Sequence, residues 1–302
     1  MIDVSNKFDT LRYARAEGSL FAHPEIVQRI INNDVPKGDV IQVARAAGIM
    51  AAKKTADWMV FCHPIPLDWV EVTVEPQTDS IHVQAEIRTV WKTGVEMEAM
   101  TAVSAALLNI YDMLKPLDEN LRIGNIQLVE KSGGWSDFKE SEPQKIRCGV
   151  MVISDSTFAG DRTDSSGKAL IDFLQQQGFQ VPVYDILPDN QNTIQSKLIE
   201  LADSGKLDII FTTGGSGLGP KDVTPEATLA VIDKEVPGIT EALRKYGKDR
   251  TPFAMLARQV CGMRKNTLII NLPGSTKGAL QSIQSLFPGL THALHMIRGE
   301  GH

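Results

Sequence analysis

The sequence is poor in cysteine, and what it has is scattered: Cys62, Cys148 and Cys261 form no C-x-x-C pair. An odd number at wide spacing gives no thiolate zinc motif and no dithiol couple, and it points to a reducing cytoplasm. Also missing is any apolar run near the ~18 residues that cross a bilayer. Met1-Ile-Asp-Val-Ser-Asn-Lys7 lacks the hydrophobic stretch of a signal peptide. These absences predict a cytoplasmic protein with no membrane partner. A formal charge of -6 argues against general attraction to nucleic acid, so anionic substrates need local clusters of Lys and Arg. Two nucleotide signatures fail as well. No Gly-Lys-Ser/Thr completes a Walker A loop after Gly214, and Pro220 stands where the third glycine of a dinucleotide fingerprint belongs. No internal repeat or low-complexity tract is visible.

What is present suffices for two cores. The chain has 302 residues, 42% hydrophobic and 23% charged, about twice the length of a typical domain. Residues 139–145, Lys-Glu-Ser-Glu-Pro-Gln-Lys, form a wholly polar stretch with a proline in mid-chain, and the domain boundary is placed there. The expected organisation is a domain over 1–138, a linker over 139–145 and a second domain over 146–302.

The two halves carry different hydrophobic periods. After the linker, apolar runs of strand length (146–154, 181–186, 207–211 and 267–272) alternate with helical patterns (166–177, 193–202, from Pro225 and from Lys277). That order predicts a three-layer, doubly wound α/β domain with ligands at the carboxyl ends of its strands. Before the linker, residues 71–75 and 81–91 alternate cleanly. Ile81, Val83, Ala85, Ile87 and Trp91 share one face, with His82, Gln84, Glu86 and Arg88 on the other. A half-covered antiparallel sheet follows, hence an α+β domain of ferredoxin-like type, with a long alanine-rich helix from Val95 to Leu114.

In the first half, Lys92-Thr-Gly-Val-Glu-Met-Glu-Ala99 places Glu96 and Glu98 at the start of that long helix. Acidic residues there complement the helix dipole and also suit proton transfer. Asp112 and Lys115 share a helical face, as surface ion pairs do. His63 lies in the proline-stiffened loop Phe61-Cys-His-Pro-Ile-Pro66. Lys37-Gly-Asp39 and Ala51-Ala-Lys-Lys-Thr55 supply cations.

Together these segments resemble the MoaC family, the cyclic pyranopterin monophosphate synthases of molybdenum cofactor biosynthesis. The resemblance runs through Ile2-Asp-Val-Ser-Asn-Lys7, Lys37-Gly-Asp-Val40, Ala-Gly-Ile-Met-Ala-Ala-Lys53, Cys-His-Pro64, Thr-Gly-Val-Glu-Met-Glu-Ala99, Ile-Tyr-Asp-Met113 and Lys-Ser-Gly-Gly134. It implies conversion of a cyclised dihydro-GTP, made by a radical S-adenosylmethionine partner, with loss of pyrophosphate and no cofactor of its own. By the same resemblance Lys37, Lys53, His63, Glu96, Met97, Glu98 and Lys131 bind substrate, and Asp112 and Lys115 move protons. Trp135 stands where the family usually has a further lysine. If 95–114 is one helix, Glu98 and Asp112 lie ~21 Å apart at ~1.5 Å per residue. A site completed by two subunits is therefore expected.

In the second half, Thr212-Thr-Gly-Gly-Ser-Gly-Leu-Gly-Pro-Lys-Asp-Val-Thr-Pro-Glu-Ala227 follows a strand, as glycine turns in plain crossovers also do. The glycines let backbone approach a ligand. Thr224 is placed as cap, Pro225 as first residue of the next helix and Asp222 just outside it. A carboxylate beside phosphates calls for a divalent ion, with Asp189 of Leu187-Pro-Asp-Asn190 as a second ligand. Leu272-Pro-Gly-Ser-Thr-Lys-Gly278 offers further N–H donors. His292 and His295 are spaced for a metal, but histidines near a helix end more commonly meet its carbonyls.

These segments resemble the MoaB/MogA family, the molybdopterin adenylyltransferase domain, on Thr-Thr-Gly-Gly-Ser-Gly217, Asp-Val-Thr-Pro-Glu-Ala227, Val-Pro-Gly-Ile239 and Asn-Leu-Pro-Gly-Ser275. The resemblance implies transfer of AMP from Mg-ATP to molybdopterin. Asp189 and Asp222 become the catalytic carboxylates and Mg²⁺ ligands, and Thr213, Gly214, Gly215, Ser216, Gly217, Pro273, Gly274 and Ser275 surround nucleotide and pterin. A non-catalytic pterin-binding module is the alternative. Thr276 replaces the family's usual proline. Family precedents are hexamers for the first domain and trimers for the second, so a homo-oligomer is expected. Dithiolene formation, the work of molybdopterin synthase, falls between the two steps.

Overall fold

The computed structural model describes residues 1–138, 146–287 and 289–299; the linker expected at 139–145 lies outside the described residues. The chain divides into two compact units, Met1–Phe138 and Lys139–His302.

The first unit runs β1 (Thr10–Phe21), α1 (Pro24–Ile31), α2 (Val40–Ala52), α3 (Thr55–Trp58), β2 (Trp69–Pro76), β3 (Ser80–Trp91), α4 (Glu96–Leu114) and β4 (Arg122–Ser132). All strand pairs are antiparallel, in the order β2-β3-β1-β4. This is the ferredoxin-like βαββαβ arrangement, and the unit is α+β. Ile81, Val83, Ala85 and Ile87 of β3 and Ala14, Ala16 and Leu20 of β1 all point inward. Helix α4 covers them with Ala99, Ala102, Val103, Ala106, Leu107 and Ile110. Alanines on its inner face let α2 pack closely along it.

The direction of α2 follows from three contacts. Asp39 caps its N-terminus, accepting from the Gln42 N–H, and nearby Lys37 pairs with Asp112 at the end of α4. Further along, Gly48 lies against the Ala102 carbonyl. So α2 runs opposite to α4, and its C-cap, Lys53, reaches the Glu96 end.

The second unit runs β5 (Arg147–Ile153), α5 (Asp155–Phe158), α6 (Ser166–Gln176), β6 (Gln180–Leu187), α7 (Gln191–Asp203), β7 (Ile209–Thr213), α8 (Thr224–Leu229), β8 (Lys234–Glu235), α9 (Pro237–Lys248), β9 (Cys261–Arg264), β10 (Thr267–Leu272), α10 (Thr276–Leu286) and α11 (Gly289–Arg298). Its sheet has the order β6-β5-β7-β10-β9-β8. Strands β6, β5, β7 and β10 are parallel and carry near-continuous apolar runs, as buried parallel strands do. Leu170, Leu174, Leu243, Ile283 and Leu290 cover one face, and Ile194, Leu198, Ala227 and Val231 the other. The architecture is three-layer α/β.

In the second unit two strands go beyond the sequence expectation. Strand β9 pairs antiparallel with β10, and β8 antiparallel with β9. With four and two residues they are too short to register as periodic runs. A second difference concerns Thr224. It is the first residue of α8 rather than its cap, and its hydroxyl donates to the Gly214 carbonyl at 2.9 Å.

Candidate functional site

The first unit has candidate site residues at both ends of α4. At its N-terminal end, a cavity of about 540 Å³ is lined by Lys7, His63, Glu96, Met97 and Glu98 among others. Lys131 on β4 pairs with Glu96 at 3.3 Å. Arg12, 6% exposed, donates to the main-chain carbonyls of Trp91 (3.2 Å) and Lys92 (3.1 Å), fixing the turn that delivers Glu96. Glu98 is 3% exposed. Burial pushes its carboxyl up to about 7; its backbone hydrogen bond opposes the shift and the charge of Glu96 adds to it. Such a group exchanges protons near neutrality. Cys62, in the same cavity, is raised by burial and then by Glu98.

At the C-terminal end of α4, Asp112 lies 2.8 Å from Lys37 and 2.7 Å from Lys115. Hydrogen bonds from Lys115 and Lys37 hold its carboxyl down at about 2, and the same contact raises the Lys115 ammonium. The chain thus assembles His63, Glu96, Met97, Glu98 and Lys131 at one end, with Lys53 on that side. It assembles Lys37, Asp112 and Lys115 at the other. One subunit does not bring the two sets together. Trp135 stacks on Phe8 with ring centroids 5.9 Å apart.

In the second unit the loops leaving β5, β6, β7 and β10 converge. Gly214 and Gly215 have φ of 103° and 60°. A Cβ on Gly214 would lie 2.2 Å from the Ile153 carbonyl oxygen, and one on Gly215 would lie 2.4 Å from the Thr224 hydroxyl and 3.1 Å from Asp189. The glycine turn is therefore pressed between its neighbours, and only residues without side chains fit. Thr213 donates to the Pro273 carbonyl at 2.8 Å, Gly274 abuts Gly214, and the buried Ser216 hydroxyl donates to the Leu272 carbonyl at 3.5 Å. Ser275 caps α10, accepting from the Gly278 N–H, and Thr276 shares a hydroxyl contact of 2.8 Å with Ser165.

The carboxylates border this turn. Asp222 accepts the Gly219 N–H at 2.7 Å and flanks Gly217. Asp189 is raised by burial, with the charges of Asp155 and Asp222 adding to that and the Asp155 N–H opposing it. Asp155, which the sequence reading missed, exchanges hydrogen bonds with Asp189: each main-chain N–H donates to the other's carboxylate, at 2.9 and 3.0 Å. Arg258 was missed too. Its guanidinium donates to the carbonyls of Gly217 (2.7 Å) and Asp222 (2.6 Å) and pairs with Glu226, while its own N–H reaches the Ser216 carbonyl. A Ser-Asp-Ser run directly after an apolar strand was a usable signal for Asp155; nothing local marked Arg258.

Among the described residues no group of three or more His, Cys, Asp or Glu is arranged to hold a metal. The donor set nevertheless fits Mg²⁺, which takes one or two carboxylates and completes its shell with substrate phosphates and water. No helix among the described residues is long and apolar enough to cross a membrane.

An acid/base-and-lysine site in an α+β unit, joined to a glycine-turn site at the strand ends of an α/β unit, defines a two-domain enzyme. Residues 1–134 match the MoaC family, and residues 149–292 match the family described as "Probable molybdopterin binding domain". The "Molybdenum cofactor biosynthesis bifunctional protein" of Chlorobaculum tepidum is 39% identical over 302 residues, spanning 100% of this chain and 96% of that protein. A "Cyclic pyranopterin monophosphate synthase" of Roseiflexus sp. is 52% identical over 138 residues, covering 45% of this chain and 87% of its own. The crystal structure of MoaB from Thermus thermophilus, 44% identical, covers 51% of this chain and 97% of that one, with a TM-score of 0.49. The chain belongs to the family of molybdenum cofactor biosynthesis bifunctional proteins, a MoaC domain fused to a MoaB/MogA-type domain.

Proposed function

We propose that residues 1–138 convert the cyclised dihydro-GTP to cyclic pyranopterin monophosphate and that residues 146–302 transfer AMP from Mg-ATP to molybdopterin. The observation that carries the first assignment is the buried Glu98 in a cavity with His63 and Glu96. Lys53, His63 and Lys131 neutralise the triphosphate there. Asp112, fixed as an anion between Lys37 and Lys115, orients both ammonium groups for proton transfer during ring rearrangement. Two chains build each site, one giving the Glu98 end of α4 and the other its Asp112 end. Homo-oligomerisation is then a condition of activity.

In the second domain the α-phosphate of ATP is attacked by the molybdopterin phosphate, the α–β bond breaks and pyrophosphate leaves. Such reactions depend on positioning and charge neutralisation more than on covalent chemistry. Thr213 to Gly217 and Pro273 to Ser275 form the cradle, and Asp189 and Asp222 are the residues that would hold Mg²⁺. When bound, the ion would neutralise the phosphate charge. The free cysteines fit a reducing cytoplasm. Incubating the full chain with the cyclised dihydro-GTP, and separately with Mg-ATP and molybdopterin, tests both halves by product mass. Absence of cyclic pyranopterin monophosphate or of adenylyl-molybdopterin would reject the corresponding assignment.

A further inference from the structure

The order β6-β5-β7 means that the chain steps from β5 outward to β6 and then back to its other side. The crevice between the carboxyl ends of β5 and β7 is therefore the sheet's topological switch point, the place where open α/β sheets bind ligands. An ion pair spans it. Lys221, on the loop after β7, reaches Oδ2 of Asp155, the first residue of α5 just after β5, at 2.5 Å. The other carboxylate oxygen of Asp155 holds the Asp189 N–H, so the loop after β6 is tied in as well.

The charges around this crevice are lopsided. Asp155, Asp189 and Asp222 contribute three carboxylates beside a glycine turn suited to phosphate, and Lys221 brings an ammonium to the same rim. Its side chain is 76% exposed and follows Pro220, directly before Asp222. An exposed ion pair is weak, so exchanging one anionic partner for another costs little.

We propose that Lys221 is a nucleotide-phosphate ligand held in reserve by Asp155. The triphosphate entering the crevice takes the ammonium from the carboxylate, and the bridge between the β7 loop and α5 opens. This rests on the nucleotide-binding reading of the second domain, but it concerns binding and not transfer.

The test is the Kd of the full chain for Mg-ATP by titration calorimetry. Lys221→Met raises Kd about tenfold or more, the loss of one charge-assisted contact. Lys221→Arg keeps most of the affinity. Asp155→Asn retains an oxygen for the Asp189 N–H but no longer competes for the lysine, so Kd falls several-fold. A purely structural ion pair would instead make both removals weaken binding alike. That pattern, an unchanged Kd in Lys221→Met, or a wild-type chain that binds no ATP overturns the proposal. A chain that binds ATP with the opposed responses yet forms no adenylyl product upholds it while rejecting the transfer assignment.

Discussion

Lys37 donates to Asp112 twice, to the carboxylate at 2.8 Å and to the main-chain carbonyl at 2.7 Å, while Lys115 takes the other carboxylate oxygen at 2.7 Å. Asp112 is thus a fixed anion between two cations. Its lowered carboxyl, about 2, makes it ionised throughout pH 4–8. Any stabilisation it brings is present above its unfolded value and lost only as pH falls through about 2. No inflection in kcat between pH 4 and 8 is expected from Asp112. Asp112→Asn should lower kcat for pyranopterin formation by about 10² or more, the usual scale of an acid/base assembly. Tm should barely move, because the cluster is exposed; a large loss of Tm alongside activity would mark the cluster as structural.

Glu98 behaves in the opposite sense. Burial raises its carboxyl from 4.5 to about 7, so its folded form favours the proton. Stability relative to a neutral side chain is complete below the unfolded value and is lost as pH rises from 4.5 through 7. At ~1.4 kcal/mol per pKa unit the span is on the order of 3 kcal/mol. Glu98→Gln should therefore raise the Tm of the first domain at pH 8, leave it nearly unchanged at pH 4, and abolish pyranopterin formation. Equal Tm differences at both pH values would remove the titration argument.

The two ends of α4 supply a separate prediction. Glu98 and Asp112 stand fourteen residues apart on one continuous helix, ~21 Å by helical rise. Glu98→Ala and Lys115→Ala proteins should each be inactive, and mixtures should recover up to about a quarter of wild-type activity once subunits exchange, since random pairing leaves one intact site in about four. No recovery in demonstrably mixed oligomers would reject a site shared between subunits.

Much of this was legible in the sequence, and the exceptions have physical causes. Strand β10 was readable to the residue because its six positions are all buried, with Lys265-Asn266 before it and the breakers Pro273-Gly274 after it. Strand β1 was not, although Ala14, Ala16 and Leu20 are fully buried. Its inward positions are mostly small, with Gly18 lying under Leu107 and Val103, so the alternation carries little apolar signal. Glu96, Glu98, Asp189 and Asp222 could be named from local motifs. The pairing of Lys37 with Asp112 spans seventy-five residues and only folding reveals it. The same holds for Arg12, whose role depends on reaching carbonyls across a strand pair.

Arg258 shows what such distant contacts do. Its planar fork satisfies the Gly217 and Asp222 carbonyls together, a geometry that a lysine cannot reproduce. Arg258→Ala and Arg258→Lys should both cut adenylyl transfer by about tenfold or more, through a higher KM for Mg-ATP, because the turn loses its brace. Pyranopterin formation by the first domain should be unchanged. Retention of wild-type KM in Arg258→Lys would show that charge alone, and not the fork, holds the turn.

Gly214 concentrates the constraint on that same turn. Its φ of 103° lies outside the range of ordinary side chains, and an added Cβ would sit 2.2 Å from the Ile153 carbonyl oxygen. Backbone cannot yield as a flexible side chain would, since Ile153 ends a strand paired on both sides. Gly214→Ala must therefore shift the turn away from β5, at a cost of roughly 1–3 kcal/mol for the strained conformation alone. The expected result is a Tm lowered by several degrees in the second domain, together with loss of ATP binding. The control is Gly205→Ala: its φ of 65° is also positive, but its added Cβ meets nothing within 4 Å. It should lose stability without losing ATP. If both variants bind ATP as the wild type does, close approach at Gly214 is not what shapes the cradle.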